Sequence, residues 1–214
     1  MREPEILKPL LRGRLHQIAC LVSIPAGIAL IALSHGAAAH VGAAIFAASL
    51  TLLFGTSAAY HCGKWTPRAR RVMQRLDHSM IYVLIAGTYT PFTLLALRPA
   101  WGVTLLAIVW TGAVVGVLLT VLSSPRLRWI GMGLYVILGW LVIVAAPQLV
   151  RHLSPVELAL LVVGGLLYTS GLAVLVLNRP NPRPRVFGYH ELWHAMGIVA
   201  AVCHYAVILL LVRA

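Results

Sequence analysis

Seven apolar stretches recur along this chain of 214 residues, each long enough to span most or all of a ~30 Å hydrocarbon core as a helix rising ~1.5 Å per residue. They run from Gln17 to Leu33, Val41 to His61, His78 to Leu97, Trp101 to Leu122, Trp129 to Leu149, Pro155 to Leu177, and His190 to Val212, the first being the shortest. With 60% apolar and 10% charged residues, the composition is that of a polytopic membrane protein. The expected fold is an all-α membrane protein with seven transmembrane helices in a single domain, 1–214. Basic Met1 to Arg14 followed by an apolar run imitates a signal peptide, but the run is long for one and reads as the first span.

A formal charge of +12 would fit a nucleic-acid binder only if the basic residues formed one face. Here they fill short loops. Arg2, Lys8, Arg12 and Arg14 precede the first span; Lys64, Arg68, Arg70, Arg71 and Arg75 lie between the second and third; Arg126 and Arg128 between the fourth and fifth; Arg179, Arg183 and Arg185 between the sixth and seventh. The other side keeps Arg98, Arg151 and Arg213 of the 17 basic residues. The positive-inside rule places the N-terminus, with residues 1–16 as an arm, in the cytoplasm and the C-terminus outside. No nucleic-acid partner is expected; the partners are membrane lipids.

The boundaries carry their own chemistry. Ser154-Pro155-Val156-Glu157 is a capping box with Pro at the first helical position, and Thr66-Pro67 starts a short interfacial helix with Arg68, Arg71 and Arg75 on one face. Arg179 to Arg185 is too rich in proline for helix. Pro25 and Pro91 should kink the first and third helices, and Gly112, Gly116, Gly164, Gly165 and Gly171 mark close helix packing. Cys20, Cys62 and Cys203 form no disulfide framework.

Placed on this topology, His16, Ser57, His61, Asp77, His78, His190 and His194 share one depth near the basic side. His190 and His194 are four residues apart, so a helix stacks them on one face. With His61 they make a three-imidazole zinc site with the fourth position open to water. Asp77 would hold that water as general base, and Ser57, one turn before His61, would stabilise developing charge. A lone histidine at a membrane interface is usually only interfacial, and Asp77 could simply pair with Arg70 or Arg75; the spaced pair and the shared depth favour the metal. His204 lies about 15 Å beyond His194 along a helix and fits an interhelical hydrogen bond. His78 and Cys62 turn away from the site, His16 stands outside the ligands, and His35, His40 and His152 sit in outer loops. His190-Glu191-Leu192-Trp193-His194 also matches the zincin pattern His-Glu-x-x-His, which would make Glu191 the base of an intramembrane metalloprotease.

Ser57 to His61, Asp77-His78 with the stretch Leu76 to Phe92, and His190-x-x-x-His194 in seven spans resemble the hemolysin III branch of the progesterone and adiponectin receptor family. The resemblance covers nearly the whole chain. It implies zinc held by His61, His190 and His194, with Asp77 and Ser57 beside its water, in a bacterial plasma (inner) membrane with the metal toward the cytoplasm. Related ceramidases and adiponectin receptors imply hydrolysis of a lipid amide; the branch name implies cytolysis, and bacterial members are linked to membrane lipid homeostasis. One departure stands out: the family's first motif has Glu and Asn upstream of its His, whereas Pro9 and Arg12 stand at those offsets from His16.

Three classes of function follow. A zinc-dependent hydrolase of a lipid amide or ester needs the open three-histidine site. A pore-forming cytolysin needs a polar stripe along several spans, which is missing, since the polar residues gather at one end. A non-catalytic sensor would use the metal only to brace helices.

Overall fold

The computed structural model describes residues 9–122 and 125–213; Arg2, Lys8 and the rest of the arm before Pro9 lie outside them. Eight α-helices follow in order: α1 Arg14–Ala32, α2 Ala37–Cys62, α3 Pro67–Leu95, α4 Pro99–Leu122, α5 Pro125–Trp140, α6 Ala146–His152, α7 Pro155–Leu177 and α8 Tyr189–Arg213. Among the described residues, six segments are long and apolar enough to cross a membrane: α1, α2, α4, Trp129–His152, α7 and α8. Ile18, Leu21, Val22 and Ile28 of α1 and Leu118 and Leu122 of α4 are more than half exposed, the outward apolar surface of a multi-pass membrane protein.

The remaining long helix, α3, is the least apolar because polar side chains interrupt its inner part, and those side chains are buried. Tyr82, with none of its surface exposed, donates to the Gly131 carbonyl at 2.9 Å, and Tyr89 donates to the Leu138 carbonyl at 2.8 Å. Thr88 and Thr90 bond back to Leu84 and Ala86 within the helix. These bonds satisfy groups that would be costly to bury alone and tie α3 to α5. Packed between α2 and α4 and touching α5 and α8, α3 is the axis of the bundle.

Close approach is supplied by glycine. Gly42 of α2 meets the backbone of Pro91, where an added Cβ would lie 2.9 Å from its Cα. Gly116 of α4 lies against the Tyr82 ring and Gly164 of α7 against the His204 imidazole, as the small-residue spacing anticipates.

Three expectations change. Thr66 caps a helix by accepting from the Ala69 amide at 3.3 Å, but that helix does not end at the interface; it continues unbroken as α3 to Leu95. The basic turn is therefore the extension of a core helix. The fifth apolar segment is broken into α5, a 3-10 stretch Leu141–Ala145 and α6. Pro147 accounts for this, since it offers no amide to the Ile143 carbonyl and its ring crowds the preceding turn. Finally, α1 begins at Arg14 and so takes His16 into its first turn. The Ser154–Glu157 capping box is present in full, α1 and α3 run through Pro25 and Pro91, and the three cysteines are free.

Candidate metal centre

Three helix ends build the site. The last turn of α2 carries Ser57 and His61 one above the other, and its end is finished by the Gly63 amide and the Trp65 indole, both donating to the Ala59 carbonyl at 3.0 Å. Asp77 comes from α3. The first turns of α8 carry His190 and His194, and the helix start is fixed by side chains: Asn181 accepts from the Tyr189 amide at 3.2 Å, and Glu191 accepts from the Gly188 amide at 2.9 Å. That use of an acidic side chain at a helix N-terminus satisfies an otherwise orphan amide.

His61, His190 and His194 converge, each offering one ring nitrogen within 4.8 Å of the other two. Their ring centroids lie 4.4 to 5.3 Å apart. Asp77 is buried, with its Oδ2 3.8 Å from His61 Nε2. Ser57, 1% exposed, brings its hydroxyl toward the Asp77 carboxyl without completing a well-formed hydrogen bond.

The donor set fits a metal ion. Among the described residues, buried His190 Nδ1 and His194 Nε2 have no hydrogen-bond partner, His190 Nδ1 lying 3.9 Å from Glu191 Oε1, whereas buried polar nitrogens are ordinarily satisfied. The other nitrogen of His194, Nδ1, lies 2.7 Å from His16 Nε2 and 2.9 Å from His16 Nδ1. A ligating histidine held in place through its second nitrogen is the usual arrangement around protein metals. His16 thus touches a ligand directly.

The zincin-like glutamate is tied to Arg12 while staying beside the cluster, its Oε1 3.9 Å from His190 Nδ1. Glu191 is 1% exposed, and its Oε1 takes a close charge-assisted hydrogen bond from Arg12 Nε. Like His61 and His190, it stands behind the wall of the large cavity, which His194 lines. Arg12 belongs to a strap that closes this end of the bundle: Leu10 and Leu11 donate to the carbonyls of Arg185 and Val186 at 3.1 and 3.2 Å. Gly13, at φ +81°, then presses against α2, where a Cβ would stand 2.6 Å from that of His61. The sequence marked Arg12 as one basic residue of the arm and as a departure from a motif; its partner is 179 residues away, and no local spacing reveals it.

Of the remaining histidines, His204 falls where its spacing indicates. His204 Nε2 lies 3.3 Å from the Leu161 carbonyl of α7, an interhelical bond far from the three-histidine cluster. His78, expected to turn away from the site, lines the cavity together with Asp77, because the cavity wraps around enough of α3 to meet adjacent residues; His35, His40 and His152 are exposed, but His40 lies in α2 and His152 in α6, not in loops. Cys62 is exposed, with its thiol 3.9 Å from the Arg12 carbonyl, facing the strap.

The cavity, about 520 Å³, is bounded by Ser57, Asp77 and His194 at one point of its wall and extends among α3, α4, α5, α7 and α8. A buried acid, three converging imidazoles and an adjoining apolar cavity can bind a metal ion and an amphiphile side by side. A profile of the family described as "Haemolysin-III related" matches residues 5–205. This chain belongs to that family. It is 41% identical over 182 residues to "Hemolysin-3" of Bacillus cereus, covering 84% of this chain and 80% of that one. It is 36% identical over 183 residues to "Hemolysin-3 homolog" of Bacillus subtilis (strain 168), covering 84% and 83%. It is also 31% identical over 175 residues to "Heptahelical transmembrane protein ADIPOR2" of Oryza sativa subsp. japonica, covering 75% and 76%. Together these place the haemolysin-III-related chain in the hemolysin III branch of the progesterone and adiponectin receptor family.

Proposed function

We propose that this haemolysin-III-related protein is a zinc-dependent hydrolase of a lipid amide or ester, acting in membrane lipid homeostasis. The observation that carries the reading is the convergence of His61, His190 and His194, within 4.8 Å of one another, beside a buried carboxylic acid and an apolar cavity. Three imidazoles with an open fourth position suit catalytic zinc. Bound there, zinc supplies Lewis acidity toward an acyl carbonyl and lowers the pKa of water.

The protein's own groups do the rest. Asp77 accepts the proton of the attacking water and passes it to the leaving nitrogen or oxygen, general acid–base work for a carboxylate in reach of the reacting atoms. The Ser57 hydroxyl donates to the negative charge that develops on the acyl oxygen. His16 holds His194 in one orientation, and the apolar wall excludes bulk water from the reacting bond.

The same reading counts α3 as a span, the third of seven, with the N-terminus in the cytoplasm, the C-terminus outside, and the metal toward the cytoplasmic face of a bacterial plasma membrane. Support for that orientation is the crowding of basic residues at the histidine-bearing end. Reporter fusions at the two termini test it, and a cytoplasmic C-terminus overturns it.

The deciding experiment pairs metal analysis of the purified protein with hydrolysis of a panel of acyl amides and esters. Retained hydrolysis after metal removal, or in Asp77→Asn, sinks this mechanism. If only Glu191→Gln abolishes activity while Asp77→Asn keeps it, the zincin-type protease reading replaces it. Leakage of liposomes that persists after metal removal, without hydrolysis, would instead favour a cytolysin.

A further inference from the structure

The three histidines have two kinds of surroundings. His194 lines the large cavity together with Ser57 and Asp77. His61 and His190 do not line it, yet their side chains are 9% and 14% exposed. Their exposed surface lies at the helix ends, where α2 stops at Cys62 and α8 begins at Tyr189. The cluster is therefore bordered on one side by the cavity and on the other by the end of the bundle.

The strap, residues 9–13, lies across that second side. Gly13 packs against His61 and Cys62, and the Cys62 thiol lies 3.9 Å from the Arg12 carbonyl. Arg12 Nε donates to Glu191 Oε1, and that same oxygen is 3.9 Å from His190 Nδ1. The strap abuts one histidine directly and a second through Glu191, and these are the two that the cavity does not reach.

Its hold is light. Leu10 and Leu11 bond the carbonyls of Arg185 and Val186, Leu10 is 74% exposed, and the Arg12–Glu191 pair is the latch. A segment with few bonds and little buried apolar surface opens locally at a fraction of the cost of global unfolding. Gly13, at φ +81°, joins the strap to α1, and a residue without Cβ can take up the dihedral change of a hinge. Because α1 begins only at Arg14, lifting the strap leaves His16 in place.

Lifting also takes Arg12 away from Glu191. That side chain is 1% exposed, and a buried carboxylate deprived of its ion-pair partner is strongly destabilised. A divalent cation can replace the guanidinium, since carboxylate oxygens ligate zinc as imidazoles do. The oxygen it would take is the one beside His190, so Arg12 and an incoming cation compete for it.

We propose that the strap is the gate through which the metal enters and leaves, latched by Arg12, and that Glu191 is the first ligand an incoming divalent cation meets on its way to His190, His61 and His194. Metal and cavity ligand then reach the site from opposite sides. The inference rests on the metal reading of the three histidines and not on hydrolysis.

The test measures zinc exchange on the purified full chain in detergent, with no substrate present. Release is followed as transfer to an excess of a chromophoric chelator, and uptake by the stripped protein as loss of free zinc from a fluorescent indicator. Arg12→Met should release zinc at least about tenfold faster, as loss of one partner of a buried ion pair supplies. The sign decides between causes, because removing a positive charge near the ion without opening a gate slows release. Arg12→Lys keeps the charge but not the guanidinium fork, and should also release faster, by a smaller factor. Adding Glu191→Gln to Arg12→Met should slow uptake about tenfold or more relative to Arg12→Met alone.

The converse arm holds the strap shut. With Cys20, Cys62 and Cys203 changed to Ser, Leu10→Cys and Arg185→Cys set two thiols across the backbone bond of 3.1 Å between these residues, a spacing within disulfide reach. The oxidised protein should release zinc at least about tenfold more slowly than the same protein reduced with a phosphine. Mass spectrometry verifies the bond and helicity the fold of every variant; where the bond does not form, the Arg12 variants decide alone.

Unchanged or slower release in Arg12→Met overturns the gate, as does equal release from the oxidised and reduced pair. Equal uptake by Arg12→Met with and without Glu191→Gln overturns the role of Glu191 as first ligand. The two readings fail separately. A chain that retains no zinc removes the metal centre, while zinc that exchanges at one rate in every variant removes only the gate.

Discussion

Replacing Arg12 with methionine should be among the most damaging single changes outside the metal ligands. Glu191 is 1% exposed, and its carboxylate rests on two donors, Arg12 Nε and the Gly188 amide. Removing one partner of a buried ion pair leaves a charge without compensation and costs about 3–5 kcal/mol. Because the Arg12 side chain is 23% exposed, water replaces part of what is lost, and the expected cost of Arg12→Met is about 3 kcal/mol. Glu191→Gln keeps an acceptor for the Gly188 amide and removes the charge, so its cost should be smaller, about 1–2 kcal/mol. The double variant should then be more stable than Arg12→Met alone, with a coupling energy of about 1–3 kcal/mol. Reversible unfolding in mixed micelles, followed by helicity, measures all four proteins. A local readout is the labelling rate of Cys62, whose thiol faces the strap 3.9 Å from the Arg12 carbonyl, measured with Cys20 and Cys203 changed to Ser. Labelling should quicken in Arg12→Met and return toward the parent rate in the double variant. Additive costs, or an Arg12→Met change within about 0.5 kcal/mol, would refute the idea that this ion pair holds the strap.

His194→Ala should abolish metal retention in the purified protein, measured by elemental analysis after chelator challenge; full retention would remove His194 from the ligand set. His16→Ala should keep the metal but weaken it by about 10–100-fold, the usual effect of losing the group that orients a ligand, as measured by competition with a chelator of known affinity. Asp77→Asn should retain the metal and lose hydrolysis by at least about 100-fold, and loss of both together would mean that Asp77 serves the fold rather than the chemistry. Gly13→Ala should be destabilising, because φ +81° disfavours a side chain and the added carbon would stand 2.6 Å from His61 Cβ; stability equal to the parent protein would show that the strap lifts away freely.

Much of this protein is determined by its sequence alone, because a membrane leaves few options for long apolar runs. Lipid contact demands helices whose backbone groups bond internally, so α1, α2, α4, α7 and α8 could be placed without coordinates. The capping box at Ser154 and the i, i+4 pair His190 and His194 are local patterns, legible for the same reason. Tertiary structure decided what depended on meetings between distant segments. It turned the basic stretch after Thr66 into the start of the core helix α3, because Tyr82 and Tyr89 bury their hydroxyls by bonding carbonyls of α5. It drew His16 onto His194, and it gave Glu191 to Arg12. Helical periodicity fixes which side chains share a face, while the rotation of one helix against another is set by packing; the site is made where three helix ends and the strap are turned toward one another.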